Sequence, residues 1–363
     1  MRWFAVLGLA AFLYCLTLTS HAGAFMTSDS VYYLTTAESL KAGRGFTIWN
    51  GEPYTWWPPL FPLVLTLGES VGRYVNAVAF GLTVTLSGFL ASRFVRPSLA
   101  ILCAACVAVS APMVYVSGYL WSEPPFILFT VAWLLALQSY LKGGRLPWLV
   151  LAAVCASLAW QTRYIGVVAL VAVPLVAFRP LGNSAVILSP TLPRQAPTSK
   201  HGRLRAIYHS LLFAAILILP MLPWYVRKLA IEGPQFYHLT ELQPHLYALR
   251  LTLGRWLMPT SHDPHLALAA LRWFVVILGL ALAYVVTSRL ARAQDVRQSL
   301  QGWYRREYWR LAPLVAFCVA YVAFLVGYEA LVPMNGIDNR LLAPIFVPLG
   351  VLVVAGIEWI LKG

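Results

Sequence analysis

Charge is scarce in this sequence, because only 11% of the 363 residues are charged and 60% are hydrophobic. Soluble domains carry roughly 25% charged residues, so both a water-soluble globule and a disordered chain are excluded. Cysteine is scarce as well, and a total of 5 excludes a disulfide scaffold. The continuous apolar runs that remain are as long as membrane-spanning helices. They predict an all-α, polytopic transmembrane protein.

Motifs for nucleotide binding are also missing. The sequence has no P-loop and no glycine-rich dinucleotide fingerprint. Its inner loops are too short for an α/β nucleotide-binding domain, which needs at least a complete βαβ unit. An internal or inverted repeat, which many secondary transporters carry, is not recognisable either. These absences exclude a soluble nucleotide-binding domain and weaken a transporter interpretation.

The apolar segments predict about 10 transmembrane helices in a single domain over residues 1–363. The segments are 3–20, 74–92, 98–117, 125–141, 147–161, 164–178, 207–223, 267–287, 312–328 and 341–361. Four longer connections separate them: a first outer loop at 21–73, a basic inner loop at 179–206, an outer loop at 224–266 and a second inner loop at 288–311. The stretch 58–67 is too short to cross a bilayer and predicts an interfacial helix.

Charge sets the orientation of these segments. With the N-terminus and the C-terminus inside, 17 of the 27 Lys and Arg residues lie in inner segments, as the positive-inside rule requires. Of the 13 acidic residues, 10 lie outside. The net charge of +14 therefore indicates topology and contact with anionic membrane lipid, and no nucleic-acid binding. We expect the first segment to be a retained helix, although Arg2 and the residues at 21–24 also fit a cleaved signal peptide.

The first outer loop contains a predicted interfacial helix at 30–42. Apolar residues recur there at every third position from Val31 to Leu40, and a glycine follows the helix. Asp29 or Ser28 lies where an N-cap belongs. Asp29 either only caps the helix or is a carboxylate kept ionised at the membrane surface by the positive end of the helix dipole.

Aromatic residues beside prolines follow at 54–62, still in the first outer loop. This composition is typical of an interfacial anchor. The alternative is a wall for a polyprenyl chain or a stacking surface for a sugar. The candidates for substrate or lipid contact are Tyr32, Tyr33, Trp56 and Trp57.

A second outer acid, Glu123, lies in a very short turn beside prolines. It either caps the helix that follows or faces a cavity together with Asp29, as acids near a membrane boundary usually do. Arg163 ends one apolar segment and Arg340 begins the last one. Each arginine could snorkel to the interface or hold a lipid phosphate, which a guanidinium binds through two hydrogen bonds.

These motifs, in this order, resemble the membrane-embedded GT-C glycosyltransferases, in particular proteins similar to dolichyl-phosphate-mannose protein mannosyltransferases and the RgtA/B/C/D-like family. The resemblance covers residues 1–178, and Arg340 with the following Leu-Leu-x-Pro is similar to the start of the family's C-terminal helix. The motifs are Asp29-Ser30-x-x-Tyr33-Leu34, Ala37-Glu38-Ser39-Leu40, Gly43-x-Gly45-Phe46, Pro53-Tyr54-Thr55, Trp57-Pro58-Pro59-Leu60-Phe61-Pro62 and Ser122-Glu123-Pro124.

The resemblance implies transfer of a hexosyl or pentosyl group from a polyprenyl-phosphate donor, with inversion, on the outer face of the cell membrane. Asp29 matches the family's first acid, which serves as general base or positions the acceptor, and Glu123 matches the second acid. The arginines would hold the donor phosphate. The acceptor, whether glycan, lipid or protein, is left open, as is whether the chain, which ends at Gly363, is a minimal member or a truncated one.

Metal binding also stays open. GT-C relatives that bind a metal carry Glu-Lys before the proline of the juxtamembrane motif, where this chain has Trp56-Trp57. The segment 262–265, with His262, Asp263 and His265, contains possible ligands, but no predicted helix fixes their spacing. No cofactor is certain, and a divalent metal is possible.

Two other classes of function are compatible with the sequence. A transporter of a lipid-linked substrate would need polar or charged residues through its helix interiors, where this chain has almost none. A non-catalytic membrane subunit that binds polyprenyl phosphate would keep the arginines. It would have no need of Asp29 and Glu123.

Overall fold

The structure is a computed structural model that describes residues 1–21, 23–178, 200–233, 240–259, 263–292, 309–332 and 336–361. Regular secondary structure in these ranges is helical, with two isolated β-bridges and no strand. The all-α prediction is confirmed for this part of the chain.

The helices follow the predicted apolar segments closely. In chain order they are α1 (Arg2–Leu18), α2 (Ser28–Lys41), α3 (Leu60–Leu65), α4 (Glu69–Ala91), α5 (Pro97–Val109), α6 (Ala111–Gly118), α7 (Glu123–Gly143), α8 (Leu146–Thr162), α9 (Ala172–Ala177), α10 (Lys200–Ile218), α11 (Leu222–Glu232), α12 (Leu242–Leu257), α13 (Pro264–Arg292), α14 (Trp309–Leu331) and α15 (Asn339–Leu361). Two 3₁₀ segments, Tyr164–Val171 and Leu219–Met221, connect α8 to α9 and α10 to α11.

Six helical segments in the described residues are long and apolar enough to cross a membrane. A seventh is added if α5 and α6, which meet at a bend of 46°, form one span. The bend lies at Ser110, whose backbone is extended, and Pro112 opens α6. Since proline has no N–H to continue the hydrogen bonding of α5, the break follows from the sequence. The other three predicted segments are shorter apolar helices, so the count of ten spans stays a prediction.

The first outer loop contains the two short helices that the sequence predicts, α2 and α3. The prediction that Ser28 or Asp29 caps α2 is wrong, because Thr27 is the N-cap. Its backbone N–H donates to Ser30 Oγ at 3.1 Å, one half of a capping box. Asp29 lies inside the first turn instead, and its carboxylate is not needed for capping.

Two glycines bring α1 and α4 close together. A Cβ on Gly8 would lie 2.0 Å from Thr85 Oγ1, and one on Gly81 would lie 2.7 Å from the carbonyl oxygen of Gly8. Small residues commonly allow helices to approach in membranes, where hydrophobicity alone does not drive helices together. This contact anchors α1 on α4, which itself packs against α7.

The long connections contain more helix than the sequence suggests. Helix α10 begins at Lys200, within the predicted inner loop 179–206, of which 179–199 lies outside the described residues. Helix α12 lies entirely within the predicted outer loop 224–266 and packs against α13 and α14.

Helices α7 and α15 run in the same direction. Their first turns meet, because Arg340 contacts Glu123. Their last turns both contact the turn between α4 and α5. There, Arg93 donates to Ser139 Oγ at 2.9 Å and Arg96 pairs with Glu358 at 3.4 Å. From residue 340 to residue 358, α15 rises about 27 Å.

We name a group of charged residues at the C-terminal ends of α7 and α15 the arginine cluster. It consists of Arg93, Arg96, Arg310 and Glu358. In it, Arg310 donates to the backbone carbonyl of Arg93.

Candidate active site

Four charged residues from distant parts of the chain meet at the N-terminal ends of α7 and α15. This ion-pair cluster consists of Asp29, Glu123, Arg163 and Arg340. Arg340 Nη2 donates to Asp29 Oδ2, and Arg340 Nε donates to Glu123 Oε1. Arg163 Nη1 donates to the same Glu123 oxygen. The four residues that the sequence analysis selected separately as acids and phosphate ligands therefore form one site.

Each member of the cluster lies at a helix end that its local sequence creates. Glu123 is the first residue of α7, because Ser122 occupies the N-cap and two prolines open the helix. Arg163 directly follows α8, with an extended backbone (φ −148°, ψ 136°) that separates α8 from the 3₁₀ segment. Arg340 is in the first turn of α15, which Asp338 caps by accepting the N–H of Leu341 at 2.9 Å.

Burial differs between the two carboxylates. The side chain of Glu123 is 1% exposed, whereas that of Asp29 is 15% exposed and that of Arg340 is 17% exposed. The second oxygen of Glu123, Oε2, is buried and has no hydrogen-bond partner among the described residues. Two positive and two negative charges make the cluster formally neutral. Asp29 is the carboxylate that a ligand can reach, and Glu123 is sealed behind it.

A tryptophan that the sequence analysis did not select completes the surroundings of Arg340. The guanidinium carbon of Arg340 lies 4.2 Å from the centre of the Trp121 ring, a cation–π contact. Tyr119 stacks on the same indole at 4.2 Å. Trp121 Nε1 donates to Thr27 Oγ1 at 2.7 Å, which ties this turn to the start of α2. The position of Trp121, two residues before an acid in a short outer turn, was the available signal.

The predicted aromatic contacts are brought together in part. Trp57 packs 5.5 Å from both Tyr32 and Tyr33. Tyr33 is fully buried, and its hydroxyl lies 3.1 Å from Ser122 Oγ, next to Glu123. Trp56 is 68% exposed and lies at the edge of this group, with its ring 6.3 Å from that of Trp57. Tyr33 is therefore a wall behind the site, and Tyr32 and Trp57 are the half-buried members that remain candidates for contact with a substrate.

Burial raises the pKa of the Tyr33 phenol, and the charge of Glu123 raises it further. Burial also raises the pKa of Tyr54, the tyrosine behind Trp57. Both phenols are neutral at physiological pH, so neither adds a negative charge to the ion-pair cluster.

Two basic residues of α11 hold the first outer loop in place, and the sequence analysis did not assign them a role. Arg227 donates to the carbonyl oxygens of Tyr54 at 2.7 Å and Phe46 at 2.8 Å. Lys228 donates to the carbonyl oxygen of Thr55 at 3.2 Å. Backbone carbonyls carry no sequence signal, so these contacts were not predictable. They fix the loop that carries Trp57.

The described residues contain no group of three His, Cys, Asp or Glu side chains that could hold a metal ion. Of the three candidate ligands near α13, His262 lies outside the described residues. Asp263 accepts the backbone N–H of His265 at 2.8 Å, which is a capping contact at the start of that helix.

Comparison with known proteins agrees with the motifs. The sequence profile of the dolichyl-phosphate-mannose-protein mannosyltransferase family matches residues 64–240. The match includes Glu123 and Arg163 and lies between Asp29 and Arg340. No curated protein sequence matches the chain. The resemblance to GT-C glycosyltransferases that the motifs indicate is confirmed.

Solved structures of ArnT show the same fold. ArnT from Cupriavidus metallidurans, bound to undecaprenyl phosphate, aligns with a TM-score of 0.57 and 15% identity over 98% of this chain and 59% of its own. Its apo form gives the same TM-score and identity, over 98% of this chain and 58% of its own. The oligosaccharyltransferase AglB from Archaeoglobus fulgidus, in complex with an inhibitory peptide and a dolichol-phosphate, aligns with a TM-score of 0.48 and 12% identity over 98% of this chain and 50% of its own. The chain thus spans 59% of the length of ArnT and shares its fold.

Proposed function

We propose that this protein is a glycosyltransferase that moves a sugar from a polyprenyl-phosphate donor to an acceptor hydroxyl on the outer face of the cell membrane. The observation that carries the proposal is the ion-pair cluster. It combines one partly exposed carboxylate, Asp29, with two arginines at the end of an apolar bundle. A lipid-linked donor suits a chain that has no nucleotide-binding motif, because its sugar arrives within the membrane. ArnT, which has this fold, has been solved with undecaprenyl phosphate bound.

In the proposed reaction, Asp29 accepts the proton of the acceptor hydroxyl. The acceptor oxygen forms a bond to the anomeric carbon while the bond from that carbon to the phosphate oxygen breaks. The electron pair of the broken bond stays on the polyprenyl phosphate, whose charge Arg340 and Arg163 stabilise. A single displacement from the side opposite the leaving group inverts the anomeric carbon.

Glu123 has a different role in this proposal from Asp29. It is buried, and one of its oxygens accepts hydrogen bonds from both arginines. An arginine that is held on one edge by a fixed carboxylate keeps its orientation, which lowers the entropy lost when it binds an anion. We assign Glu123 to positioning the two arginines.

The proposal is tested with purified protein in lipid bilayers and a panel of radiolabelled polyprenyl-phosphate hexoses and pentoses. We expect at least one donor to yield free polyprenyl phosphate and a glycoside of inverted configuration, identified by NMR. A product that retains the configuration would contradict the single displacement. Donor binding without turnover for any acceptor would favour the non-catalytic polyprenyl-phosphate-binding subunit, and movement of intact donor across the bilayer would favour a transporter.

A further inference from the structure

Arg340 contacts both acids of the ion-pair cluster. Its contact with Asp29 is more exposed to solvent than its contact with Glu123. Within the described residues, Arg340 is the hydrogen-bond partner of the Asp29 side chain. Thr27 caps α2, so the helix does not need the Asp29 carboxylate. This contact is therefore an ion pair between a partly exposed base and a partly exposed guanidinium.

The second contact of Arg340 is firmly held. Glu123 is sealed from solvent, and it also accepts a hydrogen bond from Arg163. The ring of Trp121 covers one face of the Arg340 guanidinium at 4.2 Å. The N–H donors of a guanidinium all lie in its plane, and stacking on a ring fixes that plane. A new hydrogen-bond partner of Arg340 must therefore approach at an edge of the guanidinium. The edge that now faces Asp29 is thus where an incoming anion can bind.

Charge balance limits how a phosphate enters. The cluster has two positive and two negative side chains, so an approaching phosphate meets no net positive charge. It also meets repulsion from Asp29 as long as that carboxylate remains on Arg340. Moving Asp29 away from Arg340 lowers this repulsion, and the phosphate then accepts a charge-assisted hydrogen bond from the guanidinium in place of the carboxylate.

We propose that the donor phosphate and Asp29 compete for Arg340. Without donor, Arg340 holds Asp29 in an ion pair. A bound phosphate takes over that edge of the guanidinium and releases the Asp29 carboxylate toward the acceptor. This inference rests on the proposed function, since it assigns an order to the same site: the base becomes available only after the donor has bound.

The competition is testable by binding alone, without turnover. The ligand is farnesyl phosphate, a short polyprenyl monophosphate, and farnesol controls for burial of the isoprenyl chain. Binding is measured by calorimetry on the parent, Asp29→Asn, Arg340→Gln and the double variant. Glu52→Gln is the matched control, because it removes one exposed carboxylate from the same outer loop. Thermal unfolding of every variant checks that it is folded, and Arg340→Met, which is also uncharged, replaces Arg340→Gln if the latter does not fold.

We expect Asp29→Asn to bind farnesyl phosphate at least about 10-fold more tightly than the parent, the effect of losing a competing charged hydrogen bond. Glu52→Gln should leave the affinity near that of the parent. In the Arg340→Gln background, Asp29→Asn should change the affinity no more than the Glu52→Gln control does, because the competition needs the guanidinium.

The outcomes separate this inference from the proposed function. If binding needs Arg340 but Asp29→Asn does not tighten it, the competition is wrong and the phosphate site stands. If Asp29→Asn tightens binding equally without Arg340, the effect is general repulsion and the competition is again wrong. If binding is independent of Arg340, or if no variant binds the phosphate better than farnesol, the phosphate site of the proposed function is wrong as well.

Discussion

The two ends of helices α7 and α15 hold charged residues in opposite ways. In the ion-pair cluster, each arginine contacts a carboxylate, and the four side chains are between 1% and 17% exposed. In the arginine cluster, Arg93 and Arg310 donate to a hydroxyl and a backbone carbonyl. Arg96 contacts the carboxylate of Glu358 but is itself 57% exposed.

Under the proposed function, this difference separates charge that sets topology from charge that is held for chemistry. Exposed arginines beside water and lipid headgroups need no acidic partner, and an excess of them orients the chain in the membrane. Buried ion pairs give little net stability, because desolvation of both partners offsets their attraction. A neutral, largely buried set of four charges at one end of an apolar bundle is thus better explained by function than by stability.

The largest expected contrast is in turnover. Arg340→Gln removes the guanidinium that the proposal places on the donor phosphate, so we expect turnover to fall about 10²–10³-fold. Arg96→Gln in the arginine cluster should leave turnover near that of the parent. The measurement is the release of polyprenyl phosphate from a donor that the parent uses. Similar losses in both variants would remove the functional distinction between the two clusters.

The next contrast is in stability. Glu123→Gln leaves two arginines without their shared carboxylate, and we expect it to lower the free energy of unfolding by about 3 kcal/mol. Glu358→Gln breaks a pair whose arginine is exposed, so its effect should be about 1 kcal/mol or less. Denaturation of both variants in the same detergent makes the comparison. Equal effects would contradict the difference in solvation between the clusters.

A smaller contrast separates two buried tyrosines. The Tyr33 hydroxyl lies 3.1 Å from Ser122 Oγ, beside the ion-pair cluster. The Tyr140 hydroxyl lies 2.7 Å from His209 Nδ1, farther along α7. Either Tyr→Phe substitution should lower the free energy of unfolding by about 1 kcal/mol, the value of a typical hydrogen bond. Only Tyr33→Phe should also reduce turnover, because it lies behind the reacting groups. An equal loss of turnover in Tyr140→Phe would show that turnover responds to the loss of either buried hydroxyl, and it would contradict a specific role for Tyr33.

The smallest expected effect concerns salt. The pair of Arg96 and Glu358 is partly exposed, so Arg96→Gln should change the free energy of unfolding by about 0.5 kcal/mol or less. That change should disappear at high ionic strength because exposed charges are screened. The effect of Arg163→Gln should persist, since its partner Glu123 is buried. Denaturation of both variants at low and high salt makes the comparison. If salt reduces the effects of Arg96→Gln and Arg163→Gln equally, the difference in burial between the two ion pairs is contradicted.

The sequence was sufficient to predict the helices and the ends at which charge gathers. Continuous apolar runs, apolar residues at every third position and prolines are local signals, so α2, α3 and the apolar segments were found. Asp29, Glu123, Arg163 and Arg340 were identified because charge is rare in such a chain.

Long-range pairing was not predictable in the same way. Arg340 contacts Glu123 and Asp29, which precede it by 217 and 311 positions. No local periodicity encodes such a contact. The stacking of Trp121 on Arg340 and the hold of Arg227 on backbone carbonyls were missed for the same reason. The N-cap of α2 was misplaced because Thr27, Ser28 and Asp29 are all good capping residues.

The most direct test of the account is turnover in Asp29→Asn, measured beside the matched control Glu52→Gln. If Asp29 is the general base, Asp29→Asn lowers turnover about 10²–10⁴-fold while it still folds and still binds polyprenyl phosphate. Glu52→Gln then remains close to the parent. Turnover that survives in folded Asp29→Asn would contradict the account, because the only partly exposed carboxylate of the ion-pair cluster would then have no part in the reaction.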